Sequence, residues 1–320
     1  MGFWAVGVRL GTTALIITLV SAAMSVFDNT TINSTIRLRD GRTIAFIETG
    51  CRHGPAIFHF HGHGSCRLEV RMLGDAAGRL GVRLIGLDRP GIGSSDAKSD
   101  FHILDWPDDV QEAADQLGIE RFAVEGLSAG GIYALACAYK IPHRLTACGL
   151  ISSTAPGDMI ADAGPRWMRT TWWLSEHFPC LLWPLFRFVS LARLKTQAGM
   201  EAWLIRLSLL LGEPDQRHLA IHENRAYWAE ALVEGFRQRR NSNLKEALVD
   251  FQPWGFNVEK IAFRNIFLWH GEQDRLMPAA LARLLAQALP NCAATFYPNE
   301  GHISIMRNHA HDILKAMKAN

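Results

Sequence analysis

Ser128, Asp274 and His302 are the residues of this chain whose types and settings could together do covalent chemistry. Ser128 sits in Gly126-Leu127-Ser128-Ala129-Gly130, between an apolar run from Phe122 to Val124 and a small, apolar stretch from Ile132 to Tyr139. A serine in a tight strand-to-helix turn needs neighbours without side chains, because strand and helix backbones approach closely there. Such a turn lifts the hydroxyl above a sheet edge and points the unpaired N–H groups of the helix start at whatever the serine attacks. The hydroxyl becomes a nucleophile only beside a base, and the base needs a carboxylate that fixes its tautomer and steadies the imidazolium. His302, in Asn299-Glu-Gly-His-Ile303, is the candidate base, and Asp274, in His270-Gly-Glu-Gln-Asp-Arg275, is the candidate acid. A developing oxyanion also needs preorganised donors. The Ala129 N–H at the helix start is one, and the His63 N–H is the other, since Gly62 and Gly64 let that backbone turn inward.

The elements that must position these groups alternate along the chain. Ile36–Arg39 and Thr43–Glu48 alternate around Asp40-Gly41, a hairpin signal. Predicted strands follow at Ala56–Phe60, Val82–Leu87, the run into Ser128, Leu145–Ile151, Asn265–His270 and Ala294–Tyr297. Helix-length stretches lie between them at Cys66–Leu80, Trp106–Leu117, Ile132–Tyr139 and Pro278–Leu289, with a closing helix from Ile303. This rhythm calls for a parallel sheet covered on both faces and preceded by an antiparallel pair. In an open parallel sheet, reactive groups gather outside the carboxyl ends of the strands, so Ser128, Asp274 and His302 should meet at one edge.

The alternation stops at about Pro156 and resumes after Phe251, across a helical, tryptophan-rich region holding Trp167, Trp172, Trp173, Trp183, Trp203 and Trp228. We therefore expect a core of residues 34–155 and 255–320 with a helical cap inserted at 156–254. Residues 1–33 stand apart. No charge occurs from Leu10 to Phe27, behind a lone Arg9, at the length boundary between a signal peptide and a retained anchor, with a self-packed helix as the third reading. This makes a secreted or membrane-anchored protein the expectation over a cytoplasmic one, with membrane association through residues 10–27. Asn29-Thr-Thr31 and Asn33-Ser-Thr35 fit the glycosylation acceptor pattern.

Hydrophobic content of 48% suits a sizeable core, and a net charge of +2 gives no electrostatic reason to propose nucleic acid as a partner. Six cysteines show no paired spacing, and Cys137 and Cys148 read as small core residues. His59, His61 and His63 alternate in a way that suggests a metal site, but no acidic ligand cluster follows them in sequence, so we expect neither metal nor cofactor. Asp88 and Arg89 read as braces of their turn. Glu125 is out of place in a buried strand and calls for a partner.

Taken together, His61-Gly62, Asp88-Arg-Pro-Gly-Ile-Gly-Ser-Ser95, Gly126-Leu-Ser-Ala-Gly130, Gly271-Glu-Gln-Asp274 and Gly301-His302 resemble the α/β-hydrolase superfamily over nearly all of residues 34 to 320. The resemblance implies a mostly parallel eight-stranded sheet, a lid after the sixth strand, and a Ser-Asp-His triad in that chain order. Some members place the acid after the sixth strand. Here Ser152-Ser-Thr154 stands there, which favours Asp274 and leaves Asp158 as the alternative.

The expected activity is hydrolysis of an ester, thioester or amide of an apolar or aromatic small molecule through an acyl-enzyme. A proline-releasing aminopeptidase, a C–C bond hydrolase and a cofactor-free haloperoxidase would use the same constellation. The reading from another class is a lidded hydrolase shell that binds a ligand without turning it over.

Overall fold

The computed structural model describes residues 32–178, 181, 196–238, 246, 249–250 and 252–318. Eight strands run β1 (Ile32–Arg37), β2 (Thr43–Gly50), β3 (Ala56–Phe60), β4 (Arg83–Leu87), β5 (Phe122–Leu127), β6 (Leu145–Ile151), β7 (Ile266–Gly271) and β8 (Cys292–Tyr297). They form one sheet in the order β1-β2-β4-β3-β5-β6-β7-β8. Only β2 opposes its neighbours; the other pairings are parallel, so β3 through β8 end on one rim.

Helices α1 (Gly74–Leu80), α2 (Trp106–Gln116) and α3 (Gly130–Lys140) connect the strands up to β6. Between β6 and β7 the described residues include α4 (Gly157–Ala163), α5 (Arg166–His177), α6 (Gln197–Ser208), α7 (Glu213–Ala220) and α8 (His222–Gly235). The chain closes with α9 (Ala279–Ala288), α10 (Ser304–Asn308) and α11 (Ala310–Lys318).

Period-two side-chain direction splits each strand between two core layers. On β3, Phe58 and Phe60 face one layer, where Phe58 meets Phe122 edge-on at 4.9 Å and Phe60 meets Trp106 at 5.5 Å. Ile57 faces the other, with Leu84, Ala123, Ile313 and Leu314. Burying side chains of this size stabilises the fold by roughly 1.5–3 kcal/mol each. Helix α3 is buried along most of its length, which explains why its sequence is apolar all round rather than striped.

Two predicted helices are broken. The Cys66–Leu80 stretch is a 3₁₀ turn at Arg67–Leu73 followed by α1. There the chain lies hard on the sheet, since a Cβ at Gly86 would sit 2.5 Å from the Arg67 carbonyl oxygen. The closing helix is interrupted at His309, whose ring stacks on Tyr297 at 3.8 Å and meets Glu300 at 3.2 Å. The first strand starts earlier than its pattern suggested and ends at Arg37, where Leu38 N–H already bonds Arg42 O to close the turn.

The apolar segment 10–27 lies outside the described residues, as do Asn29, Cys180 and Trp183. Among the described residues no helix is long and apolar enough to cross a membrane. Among the described cysteines Cys66, Cys137, Cys148 and Cys292 are free thiols, and burial raises Cys137 and Cys148 well above the ordinary thiol range.

Candidate active site

Ser128 follows β5 directly and has φ of 54°, a left-handed conformation that costs a non-glycine residue about 1–3 kcal/mol. Its N–H donates to Ile151 O at 2.9 Å and its carbonyl accepts from Gly131 N–H at 3.1 Å, so the turn is held on both sides. The glycines are required by contact. A Cβ at Gly126 would lie 2.2 Å from the Gly130 backbone, and one at Gly130 would lie 2.0 Å from Phe60 O. Ser128 is half-buried and Ala129, at the mouth of α3, is buried.

His302 and Asp274 are joined directly. His302 Nδ1 lies 2.7 Å from Asp274 Oδ2, while Asp274 Oδ1 accepts the Leu276 and Met277 N–H groups, each at 2.8 Å. Both residues are buried. With Nδ1 held by the carboxylate, Nε2 is the ring nitrogen free to move a proton. Burial pulls the His302 imidazolium down, but the Asp274 carboxylate, with Asp215 and Glu69 adding to it, outweighs burial and the net shift is upward. His270 approaches the same Asp274 oxygen at 3.5 Å but is bonded to Met277 O at 2.7 Å, and burial lowers its pKa, so it stands as a neutral brace. The alternative acid, Asp158, is exposed and accepts its own neighbour's N–H from Met159 at 2.9 Å.

Ser128, Asp274 and His302 follow the carboxyl ends of β5, β7 and β8, neighbours through β6 on one rim. Beside Ser128 and Ala129 opens a cavity of about 400 Å³. Its wall is mostly apolar, built by Ile160, Trp167, Met168 and Trp172 from the inserted helices and Met277 from the acid loop, with His63, Thr154, Thr171 and Asp250 as polar members beside Ser128.

The alternating histidines go to three different sets of partners. Buried His59 is wedged between two acids, with Nε2 2.9 Å from Glu69 and Nδ1 3.3 Å from Glu125. Burial works against its charge, yet the two carboxylates lift its pKa to about 9. This supplies the partner Glu125 required. Glu69 also accepts the Gly62 N–H at 3.2 Å, fixing the loop that carries His63 from beneath. His61 is pushed well below its ordinary pKa by burial and the Arg89 guanidinium, and Arg89 donates to His61 O at 2.6 Å. His63 stands 3.5 Å from both Glu246 and Asp250, and those carboxylates raise its pKa against the pull of burial. Among the described residues no group of three histidines, cysteines or acids is arranged to hold a metal ion.

Asp88 and Arg89 are braces, as their turn suggested. Asp88 accepts from Arg67 N–H at 2.6 Å and Ser94 N–H at 2.9 Å, and Arg89 reaches Glu246 at 2.7 Å. Sequence reasoning did not find Glu69, Asp215, Glu246 or Asp250. Each is an acid on a helical stretch, where a solvated face is the default, and only packing against the segments that carry His59, His63 and His302 sets these apart.

A sequence model of the alpha/beta hydrolase fold matches residues 55–308. A bifunctional esterase/perhydrolase of Acinetobacter calcoaceticus is 24% identical over 272 residues, covering 83% of this chain and 92% of that protein. A pimeloyl-[acyl-carrier protein] methyl ester esterase of Nitrosomonas europaea is 29% identical over 226 residues, covering 69% and 78%. Among solved structures, an esterase from Exiguobacterium antarcticum superposes with a TM-score of 0.68 at 17% identity, covering 90% of this chain and all of the other.

Proposed function

The chain belongs to the alpha/beta hydrolase fold family and is a hydrolase of that fold; from this premise we propose that it cleaves carboxylic esters of apolar or aromatic small molecules through Ser128, His302 and Asp274. The observation that carries the reading is the 2.7 Å bond between His302 Nδ1 and Asp274, on the rim where a strained Ser128 faces an apolar cavity.

In this mechanism His302 Nε2 takes the Ser128 proton as Oγ attacks the ester carbonyl, and the Ala129 and His63 N–H groups receive the oxyanion. His302 then gives its proton to the leaving alkoxide, which departs and leaves Ser128 acylated. Water, deprotonated by the same nitrogen, attacks the acyl carbonyl, and collapse frees the acid and restores the serine. The inserted helices α4 and α5 wall the acyl site, and their Trp167, Trp172 and Met168 select the apolar portion of the substrate.

Two variations rest on specific observations. Asp250 in the cavity wall suits a substrate bearing an amine, as an aminopeptidase would use. The Acinetobacter relative's name joins esterase with perhydrolase, which the same acyl-enzyme would allow if peroxide replaced water at the second step.

The test is labelling by a fluorophosphonate probe together with turnover of a graded set of aryl and alkyl esters. Wild-type protein should label and turn over, and Ser128→Ala should do neither. Labelling that survives this substitution refutes the nucleophile. Ester binding without turnover in the wild type assigns the chain to non-catalytic ligand binding, and peracid formation on adding peroxide selects the perhydrolase variation.

A further inference from the structure

The His302 loop is held by the cap. Asp215, on α7 of the inserted helices, is fully buried and directs both carboxylate oxygens at the backbone of that loop. Oδ2 accepts the His302 N–H at 2.8 Å, and Oδ1 accepts the N–H groups of Ile303 and Ser304, both at 3.0 Å. The carboxylate lies so close to the chain that a Cβ at Gly301 would sit 2.3 Å from it. Three donors converge on one charge contributed from 87 positions earlier in the chain, at a turn where Ile303 offers no capping oxygen of its own. A second contact ties the same end of α7 to the acid loop, because Gly212 abuts Gln273 O, where a Cβ would be 2.2 Å away.

We propose that Asp215 is a positioning residue for the reaction: it fixes the backbone of His302 so that the ring meets Asp274, and it couples the seating of the cap to the competence of the base. This rests on the triad reading above. The charge matters as well as the shape. The groups facing His302 are Asp274 and His270 from β7 and its loop, Asp215 from the cap, and Glu69 from beneath. Of these, Asp215 bonds the His302 main chain and favours the imidazolium from the cap side, after Asp274.

Asp215→Asn tests the idea in the full-length protein. The amide oxygen can keep the Ile303 and Ser304 donors, but its NH₂ faces the His302 N–H and the charge is gone. The expected result is a kcat roughly 10–100-fold lower with little change in KM, the scale of a small misplacement of a catalytic group. The acid limb of kcat/KM should also move to lower pH, because one carboxylate that favoured the imidazolium has been neutralised. Gly301→Ala pushes on the same carboxylate while leaving its charge, and should lower kcat without moving the limb. A rise in KM alone, or an unmoved limb in folded Asp215→Asn, overturns the proposal and leaves Asp215 a structural residue of the cap. Loss of cooperative unfolding in both variants does the same. Failure of the triad reading is separate, since Ser128→Ala or His302→Ala would then keep activity whatever Asp215→Asn does.

Discussion

Replacing Asp274 by asparagine separates the catalytic role proposed for this residue from its structural one. Asp274 Oδ1 accepts two backbone N–H groups at 2.8 Å, from Leu276 and Met277, and Oδ2 meets His302 Nδ1 at 2.7 Å. In Asp274→Asn the amide oxygen must stay on the two backbone donors, since a flip would set NH₂ against both. The NH₂ then occupies the Oδ2 position and donates to His302 Nδ1. That forces the ring proton onto Nε2, the atom that must accept from Ser128, so the base is present in the wrong tautomer. In a serine protease the corresponding change costs about 10⁴-fold in kcat, or about 5.5 kcal/mol of barrier. The cost to the fold is smaller, on the order of 1.5–3 kcal/mol for one charge-assisted bond. Asp274→Ala, by contrast, strands both backbone donors at about 1–3 kcal/mol each and should unfold well before Asp274→Asn. Steady-state kinetics on an aryl ester, paired with thermal denaturation, reads both quantities. Folded Asp274→Asn within tenfold of wild-type kcat would refute the assignment, as would a large loss in Asp158→Asn, which should stay near wild type.

Other outcomes follow from the same structure. His59 binds its proton more tightly folded than unfolded, with a pKa raised from 6.5 to about 9, so its stabilising contribution is complete below pH 6.5 and is lost as pH rises through 9. Wild-type unfolding free energy should therefore fall across that window by on the order of 3 kcal/mol relative to His59→Gln, measured by denaturant titration at several pH values. Gly130→Ala should fail to give a folded enzyme with an intact elbow, because its Cβ would meet Phe60 O at 2.0 Å; wild-type activity from this variant would contradict the close packing of α3 on β3. Ile160→Trp, narrowing the cavity of about 400 Å³, should shift preference toward shorter acyl groups, with kcat/KM for the longest accepted ester falling by at least about tenfold. Phe58→Ala should cost about 3–5 kcal/mol in stability with kcat per folded molecule unchanged, since Phe58 is fully buried beneath the sheet and away from the rim.

Much of this molecule was legible in its sequence for local reasons. The ranges Ala56–Phe60 and Leu145–Ile151 coincide with β3 and β6, because strands buried on both faces read as largely apolar runs, here interrupted only by His59 and Thr146. The elbow was legible because only glycine satisfies two backbones within van der Waals contact, and that requirement is written at Gly126 and Gly130 themselves. Asp274 and His302 were marked by their places just past predicted strands, which parallel topology turns into nearness. The 3₁₀ turn at Arg67 and the break at His309 were not legible, since helical propensity knows nothing of the sheet below one or of the Tyr297 ring beside the other. Nor were the charges around the site. Glu69, Asp215, Glu246 and Asp250 are ordinary acids in ordinary helical stretches, and their consequence for His59, His302 and His63 arises from contacts between segments 10 to 187 residues apart. Sequence alone set which groups could react. Folding decided which buried carboxylates hold them, because burial and distance, the two quantities that make a charge matter, exist only once the chain has closed on itself.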